Sequence, residues 1–326
     1  YNYDSKYLLE VNGRYDGSSR FPKKNRFGFF PSVSVGWQLG RENFMSFAED
    51  WLDELKIRAS WGKIGNQNVT AYAFNPLMTL GLPKDKWQYW LHNDSPTNVI
   101  GVPSMVRDNY TWEKVATTDI GLDIVLLNGR LRGTFDWYQR DTKGMLAPGA
   151  QLPAVVGSDA PYQNTANMVT HGWELAISWR DRIGKVGYNV GFNIFDARTK
   201  VTKYSHNQTG LIYEDNTAED SNRYRKEMYL GEIWGYVFDG FYTVDDFEDT
   251  TSWKLKEGVT AIDGYNSRLR PGDIKFKNLS DADGTTNTIT EGLGTAEDPG
   301  DRKIIGNNTP RYNFGINLGA NYAGFD

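Results

Sequence analysis

Apolar side chains recur at every second residue through much of this chain, and this period constrains its fold more than any other feature. In the stretch 55–62, Leu55, Ile57 and Trp61 alternate with polar or small residues. Successive side chains of a β-strand point to opposite faces of the sheet, so the alternation predicts strands with one apolar and one polar face. About eight long strands are predicted, around residues 9–16, 32–39, 55–62, 119–126, 131–138, 173–180, 188–194 and 311–322.

The predicted strands fit the wall of a transmembrane β-barrel better than a soluble sheet. Each covers at least seven residues and one covers twelve, whereas strands in soluble proteins average about 5–6. Their central apolar faces carry no charged residue, and a Lys or Arg at the bilayer midplane would cost roughly 2–4 kcal/mol. Trp173 and Trp179 bracket Leu175 and Ile177, as in aromatic girdles at membrane interfaces. A soluble core also excludes charge, so the charge pattern supports the barrel without deciding it.

The connections between these strands alternate between longer and shorter ones. The longer ones are 17–27, 66–113, 144–167 and 201–310, and the shorter ones are 40–53, Asn128-Gly129 and 182–185. Outer-membrane barrels place short turns at the periplasmic rim and long loops at the extracellular rim. The sequence therefore predicts an all-β fold, a segment of a transmembrane antiparallel β-barrel with long extracellular loops. Residues 42–52 are predicted to form a short amphipathic helix at the periplasmic rim.

The polar faces of the predicted strands carry a dense mixture of acidic and basic side chains. Such a mixture suits a wide lumen that is wet or packed against a plug, while the alternative is a set of salt bridges that only stabilise the wall. Glu10, Asp16 and Arg180 belong to this face. The candidates for contact with a substrate in the lumen are Arg14, Arg58, Asp123, Arg132, Asp136, Arg140 and Glu174.

Aromatic residues are frequent in the long loops and are expected to be exposed. Flat rings stack on sugars or peptides and also anchor partner proteins, although they can equally pack the loops onto each other. Tyr89, Tyr110 and Tyr242 belong to this group. The candidates for contact with a substrate or a lid are Trp87, Trp90, Trp112, Trp234 and Tyr236.

The composition excludes several kinds of site. The chain has no cysteine, and its three histidines (His92, His171 and His206) are far apart without metal-ligand spacing. A net charge of −5 without a basic stripe gives no footprint for nucleic acid. The stretch 280–284 has the oxygen ligands of a calcium loop but lacks the remaining positions, so an Asp-Gly turn is favoured. No catalytic residue, metal site or cofactor is predicted.

Several stretches, in the same order along the chain, resemble the SusC/RagA family of TonB-dependent outer-membrane transporters. Two of them lie near the start, NRFGFFPSVSVGW at 25–37 and LKIRASWGKIGN at 55–66. Each stretch alone is weak, but the ordered set covers nearly the whole chain. The others are TWEK at 111–114 with DIGLD at 119–123, the stretch 167–175, GYVFDG at 235–240, RPGDIK at 270–275 and IIGNNTP at 304–310.

The resemblance implies a 22-stranded barrel closed by an N-terminal plug, of which residues 1–326 form part of the C-terminal half. The plug and the final strands would then lie outside this chain, and contact with the TonB complex would use that absent N-terminal part. The family further implies a bacterial outer-membrane location, a SusD-like surface lipoprotein as lid, and uptake of glycans or oligopeptides without catalysis. The altered loop after GDIK, at 278–284, leaves no expectation of a bound ion there.

Two other hypotheses fit the residues alone. One is a soluble all-β carbohydrate-binding module that uses the loop aromatics, Trp90 among them, as a stacking platform. The other is a self-contained eight-stranded barrel with a structural or adhesive role. The density of charge on the polar faces argues against so narrow a barrel, because every charge would have to be paired inside it.

Overall fold

A computed structural model describes the chain except for residues 70–73, 79, 82–90, 93–94, 101–102, 104, 107–108, 150–151, 158–159, 206–223, 263, 265–267, 281–286 and 324–326. The chain forms two compact units. One comprises residues 1–206 and 311–326, and the other comprises residues 207–310. Among the described residues, no helix is long and apolar enough to cross a membrane.

The first unit is built on one antiparallel sheet, and its eight long strands confirm the sequence prediction. They contain between 10 and 22 residues each. Each strand pairs with the next along the chain, and the two-residue strand Asn2–Tyr3 adds to the first edge. The long strands are β1 (Tyr7–Gly17), β2 (Phe27–Gln38), β3 (Leu52–Asn66), β4 (Glu113–Leu126), β5 (Leu131–Pro148), β6 (Tyr162–Ile183), β7 (Val186–Lys203) and β8 (Asn313–Tyr322).

One face of this sheet is apolar and exposed along its length. The register places Trp37, Ile57, Leu122 and Phe135 side by side on four neighbouring strands. Leu318 on β8 is 76% exposed, which a soluble sheet of this size would avoid. Lipid is the solvent that such a face fits. Other exposed members are Leu9, Val11, Val35, Ile120, Trp137, Ile177, Val190, Phe192, Phe314 and Ile316.

The height of the apolar face matches a bilayer. On β8 the outward residues from Phe314 to Tyr322 span roughly 27 Å at about 3.4 Å per residue. A tilt of about 40° reduces this to about 20 Å, close to the apolar band of about 25 Å on outer-membrane barrels. Tryptophans lie at both ends of the band, with Trp61, Trp137 and Trp173 towards the long loops and Trp37 and Trp179 towards the short turns.

The sorting of connections by length is only partly as expected. The two longest, 67–112 and 204–312, emerge at one edge of the sheet, and the two tightest, 127–130 and 184–185, at the other. The segment 39–51, however, is longer than 18–26 on the opposite edge. The 3₁₀ helix Lys23–Asn25 lies in the segment 18–26. A second 3₁₀ helix, Ala154–Val156, lies between β5 and β6. Paired segments in the loop 67–112 are Leu80–Gly81 with Val99–Ile100 and Leu91–His92 with Ser95–Pro96.

The short amphipathic helix expected at 42–52 is a 3₁₀ helix over Asn43–Ala48, shorter than predicted, and a second 3₁₀ helix, Leu39–Arg41, precedes it. A 3₁₀ helix has three residues per turn, so Ala48 can be buried while Phe47 stays exposed on the adjacent side. Glu42 holds the segment to the wall, because its carboxylate accepts hydrogen bonds from Tyr7 Oη at 2.6 Å and Trp37 Nε1 at 3.0 Å. These hydrogen bonds lower the pKa of Glu42.

A buried aromatic cluster joins the loops at the opposite edge. Phe21, Phe30, Tyr110 and Trp112 form it, and the Trp112 ring lies 5.0 Å from that of Phe21 and 5.4 Å from that of Phe30. The exposure expected of Tyr110 and Trp112 is therefore wrong, since each is only 5% exposed. Sequence alone does not distinguish a ring on a loop surface from one that packs several loops together.

The second unit, residues 207–310, lies within the connection between β7 and β8, which the sequence predicted only as one of the long loops. Its buried residues include Tyr242, Phe247 and Leu269. Val244–Asp246 is a 3₁₀ helix with a capping box from Thr243. The strand pairs are Glu232–Tyr236 with Arg302–Asn307, Phe238–Phe241 with Ile274–Phe276, and Ala261–Ile262 with Thr288–Ile289.

The aromatic cluster depends on the absence of a side chain at Gly65. A Cβ at this position would overlap the Phe30 ring and lie 2.8 Å from the Trp112 ring. Gly65→Ala should therefore lower the thermal unfolding temperature, followed by heat-modifiability on gels, because overpacking typically costs about 1–3 kcal/mol. Gly191→Ala is the control, since its Cβ would meet Asn317 at an ordinary 3.5 Å. Equal melting of the two variants would contradict this account of the cluster.

Candidate functional site

The inner face of the sheet carries the charged side chains predicted for the lumen. Pairing places Arg58, Gly121, Asp136 and Glu174 in one row across β3, β4, β5 and β6. The row is opposite in orientation to the apolar face, because these residues alternate with the outward ones on every strand. The next row down places Lys56 opposite Asp123.

Arg58 is the centre of this face. Its Nη2 donates to Asp136 Oδ2 at 2.8 Å, and its Nη1 lies 2.6 Å from Asp136 Oδ1. Its Nε lies 3.1 Å from Asp123 Oδ2, and its Nη1 lies 3.5 Å from Asp119 Oδ1. One guanidinium therefore binds three carboxylates from two strands, which is the planar, multidentate contact that arginine makes and lysine does not.

Gly121 makes this arrangement possible. It is the residue directly across from Arg58, and an added Cβ would lie 2.5 Å from Arg58 Cζ and 2.6 Å from Asp136 Oδ1. Without a side chain there, the guanidinium crosses β4 and reaches the carboxylate on β5. The position of a glycine between two aspartates, in the segment 119–123, was the signal in the sequence for this contact.

The remaining candidates do not join this cluster. Arg14 is bound to Asp16 at 2.7 Å on its own strand, and its side chain is 68% exposed. Arg132, Arg140 and Glu174 have exposed side chains. The structure thus separates the predicted set into two groups. Arg58, Asp123 and Asp136 are tied into the wall, whereas Arg14, Arg132, Arg140 and Glu174 present charge to the space in front of the sheet.

A concave region of about 680 Å³ lies beside the Arg58 cluster. Its lining mixes polar residues of the inner face with Leu8, Leu9, Val11 and Val35, and it comes from Tyr1, Asn2 and the first four long strands. The lining residues there include Glu10, Ser34, Lys56, Arg58, Ser60 and Asp119.

The loop aromatics of the second unit are less exposed than expected. Trp234 is half-buried, and its Nε1 donates to Glu232 Oε2, which also accepts from Arg225 Nη2 at 3.1 Å. The Tyr236 ring lies 5.3 Å from that of Phe276. Tyr242 is buried, and its Oη donates to the carbonyl oxygen of Thr260 at 2.6 Å. These contacts within the second unit explain why Trp234, Tyr236 and Tyr242 are less exposed than expected. Trp87, Tyr89 and Trp90 lie outside the described residues.

Asp301 organises the second unit, and no sequence pattern singled it out. The side chain is fully buried, and its carboxylate accepts hydrogen bonds from the backbone nitrogens of Leu279, Ser280 and Thr290 and from the Ser280 hydroxyl. Burial alone raises the pKa of Asp301, but these donors together hold it below its ordinary value. The carboxylate therefore stays ionised and joins three segments of backbone.

Within the described residues, no group of three or more His, Cys, Asp or Glu side chains is arranged to hold a metal ion. His171 lies on the outward face of β6, opposite Gln139 and Arg198. His206 and the residues Asp281 and Asp283 of the Asp-Gly stretch lie outside the described residues.

Comparison with known proteins identifies the family of this chain. The family model described as "TonB dependent receptor-like, beta-barrel" matches residues 1–326. The chain belongs to this family. Its outer-membrane location and β-barrel fold are confirmed, and the soluble carbohydrate-binding alternative is wrong because the apolar face that it would expose to water faces lipid.

Relatives of known name confirm the resemblance to SusC and RagA. TonB-dependent receptor P3 of Formosa agariphila is 29% identical over the whole chain, and SusC of Bacteroides thetaiotaomicron is 29% identical over 84% of it. The chain of the RagAB peptide transporter superposes with a TM-score of 0.69 and 21% identity over 98% of this chain, a likeness of fold. The chain spans only about 30% of these proteins.

Two of the stretches that carry the resemblance contact each other at the long-loop edge of the sheet. Asn25 Nδ2 donates to the carbonyl oxygen of Tyr110, and Trp112 Nε1 donates to that of Arg26. Asn164 Nδ2 donates to the carbonyl oxygens of Thr111 and Gly144. The stretches at 25–37 and 111–114 thus contact each other, and these contacts hold two connecting segments of the barrel wall together.

Arg58→Gln should destabilise the barrel by about 1–3 kcal/mol, because it leaves partly buried carboxylates without their cation. Unfolding of the full-length protein by urea measures this. A double-mutant cycle with Asp136→Asn should give a coupling of about 0.5–3 kcal/mol. Arg14→Gln, in an exposed pair, is the control and should cost under about 1 kcal/mol. No coupling between Arg58 and Asp136 would show that the pair does not hold the wall.

The second unit should lose stability in acid through Asp301. A carboxyl whose pKa is lowered by folding stabilises the protein above its unfolded pKa of about 3.9 and ceases to do so as pH falls through the folded value. The protection of the Leu279, Ser280 and Thr290 amides, taken as the ratio of the intrinsic to the observed exchange rate at each pH, should therefore fall below about pH 4. Asp301→Asn should lower this protection already at pH 7. Exchange that is unchanged by the substitution would show that the carboxylate does not organise the unit.

Proposed function

We propose that this chain is part of the barrel of a SusC-like importer that moves large nutrients across the bacterial outer membrane with energy from TonB. The observation that carries the proposal is the two-faced sheet, with an exposed apolar side for lipid and a wet, charged side for a lumen, in a member of the TonB-dependent receptor family. A wall with these two faces encloses a polar path through an apolar layer, which is the physical requirement of an importer.

The exposed charges of the inner face would contact cargo or the plug. Arg132, Arg140 and Glu174 are on neighbouring strands and face the open side of the sheet. Charges of both signs suit peptides, which carry both, and also bind the hydroxyl groups of glycans. Arg58, by contrast, has its donors engaged with three carboxylates, so we assign it to the wall.

The proposed partners are a SusD-like surface lipoprotein and the TonB complex. The lid would contact the long loops at the extracellular edge, and Trp87, Trp90, Trp234 and Tyr236 remain candidates for that contact or for the substrate. TonB would act through a plug in the N-terminal part of the full-length protein. No nucleic acid, cofactor or metal has a role in this mechanism.

The cargo class is proposed as oligopeptides or oligosaccharides. A RagAB structure is described as a peptide importer, which supports the peptide class by likeness of fold only. SusC is 29% identical to this chain, against 21% for the RagAB chain, and the resemblance to the SusC/RagA family implies glycans as well as peptides, so both classes enter the test.

Uptake by cells that carry the full-length protein tests the proposal. Fluorescent oligopeptides and oligosaccharides should enter the periplasm with the protein and not after its deletion or after loss of TonB. The substitutions Arg132→Gln, Arg140→Gln and Glu174→Gln together should reduce uptake severalfold, because they remove exposed lumen charges, while Arg182→Gln at a short turn should leave it unchanged. Uptake that survives deletion would overturn the import function. Uptake lost equally in the Arg182 control would overturn the role of the inner face.

A further inference from the structure

Two phenylalanines are exposed on the 3₁₀ helix Asn43–Ala48, in the segment that joins β2 to β3 at the short-turn edge of the sheet. Phe44 is 61% exposed and Phe47 is 74% exposed. A 3₁₀ helix has three residues per turn, so residues three apart lie on the same side of it. Phe44 and Phe47 therefore form one apolar strip along the helix, which we call the phenylalanine ridge.

The other two sides of this helix differ from the phenylalanine ridge. One side carries Met45 and Ala48, and it packs on the protein, since Ala48 is fully buried. The remaining side carries Asn43 and Ser46, which are polar and exposed. The helix thus has a buried, a polar and an apolar exposed side. Such a division suits a boundary at which protein, water and an apolar layer meet.

Glu42 holds the helix against the outward side of the wall. Its carboxylate accepts hydrogen bonds from Tyr7 Oη and Trp37 Nε1. Tyr7 and Trp37 are cross-strand partners, and both lie on the outward face. Glu42 precedes Met45 by three residues and so continues the side that carries Ala48. The buried side of the helix is therefore the side that faces the wall.

The exposure of Leu52 shows that the outward face is covered at this point. Leu52 is the cross-strand partner of Leu126, and Leu126 lies on the outward face, four residues beyond Leu122. Leu122 is 37% exposed, whereas Leu52 is only 8% exposed. The segment 39–51, which ends next to Leu52, accounts for this cover when it folds over the outward side of the wall and away from the lumen.

The phenylalanine ridge begins close to the membrane interface. Tyrosine and tryptophan rings of a girdle lie at the level of the lipid headgroups, and Glu42 Oε1 is 3.0 Å from Trp37 Nε1. Two residues of chain span at most about 7 Å, which limits the distance from Glu42 to the Phe44 backbone. The headgroup layer is itself about 5–8 Å thick. Phe44 thus lies within about one headgroup layer of the girdle.

We propose that the phenylalanine ridge inserts into the inner leaflet of the outer membrane, at the boundary between phospholipid headgroups and acyl chains. Phe44 and Phe47 leave water in this position, which is favourable for large apolar side chains. Asn43 and Ser46 keep contact with headgroups and water. The helix then fixes the depth of the short-turn edge in the membrane. The proposal rests on the outer-membrane location and is independent of the import function.

A protein partner fits the phenylalanine ridge less well than lipid. Two phenylalanine side chains bury at most about 500 Å² together, whereas a stable interface buries about 800 Å² on each partner. Through Glu42 and Trp37, the ridge is also continuous with the apolar outward face, which is suited to lipid.

Spin labelling of the full-length protein in vesicles of phosphatidylethanolamine and phosphatidylglycerol tests the proposal. The chain has no cysteine, so Phe47→Cys takes a single nitroxide label once any cysteine elsewhere in the full-length protein is replaced by serine. Oxygen dissolves preferentially among acyl chains, while a polar nickel chelate stays in water. The label at position 47 should therefore collide severalfold more with oxygen than with the chelate.

The adjacent residue provides the matched control. A label introduced by Ser46→Cys lies on the polar side of the same helix and should collide more with the chelate. Lys185→Cys, at the exposed turn 184–185, supplies the value for water. Phe44→Cys reports on the same ridge and replaces Phe47→Cys if heat-modifiability on gels shows that the latter does not fold.

Three outcomes would overturn the proposal. A label at position 47 with the accessibility of that at position 185 would place the ridge in water. Low collision with both reagents would show a cover of protein, and broadening of the spectrum by a second label would identify that cover as another copy of the chain. Equal preference for oxygen at positions 46 and 47 would contradict a helix with separate polar and apolar sides.

The Glu42 tether gives an independent check. Glu42→Ala removes the acceptor for Tyr7 and Trp37, so the label at position 47 should become more mobile and its spectrum narrower. Glu42→Gln keeps a side-chain oxygen that accepts hydrogen bonds and should change the spectrum less. A spectrum that Glu42→Ala leaves unchanged would show that the tether does not hold the ridge at the interface.

Discussion

The structure depends on the pairing of backbone groups between neighbouring strands. Lipid offers no hydrogen bonds, so every N–H and C=O within the membrane must find a partner in the protein. The eight long strands meet this demand by pairing in chain order, with a register that runs without interruption from Leu131 to Lys143 between β4 and β5. This ladder fixes which side chains share a row, and the two faces of the sheet follow from it.

The two faces of the sheet are suited to different surroundings, lipid on the outward side and water on the inward side. The exposure of Leu318 and Ile316 on the outward face costs no free energy, because lipid surrounds that face. The inward face carries charge, and the Arg58 cluster shows how charge is held there. Three carboxylates converge on one guanidinium across a glycine, so the wall keeps its own charges engaged and leaves others open. A charged lumen and a stable wall are thus compatible in one sheet.

Different contacts hold the connecting segments at the two edges of the sheet. At the short-turn edge, Glu42 ties a 3₁₀ segment to Tyr7 and Trp37. At the long-loop edge, the cluster around Trp112 joins segments that are far apart in sequence. Two of the stretches that carry the resemblance to SusC-like proteins, 25–37 and 111–114, contact each other at this edge.

The sequence by itself determined the strands, their two faces and the family, because a period of two and exposed-face composition are local properties that survive without knowledge of the partners. It also predicted that Arg58, Asp123 and Asp136 share one face. Only the tertiary structure decided that these three bind each other, that Trp112 and Tyr242 are buried, and that Asp301 collects four donors. Such contacts join residues tens of positions apart, and their formation depends on register and loop packing, which no local pattern encodes.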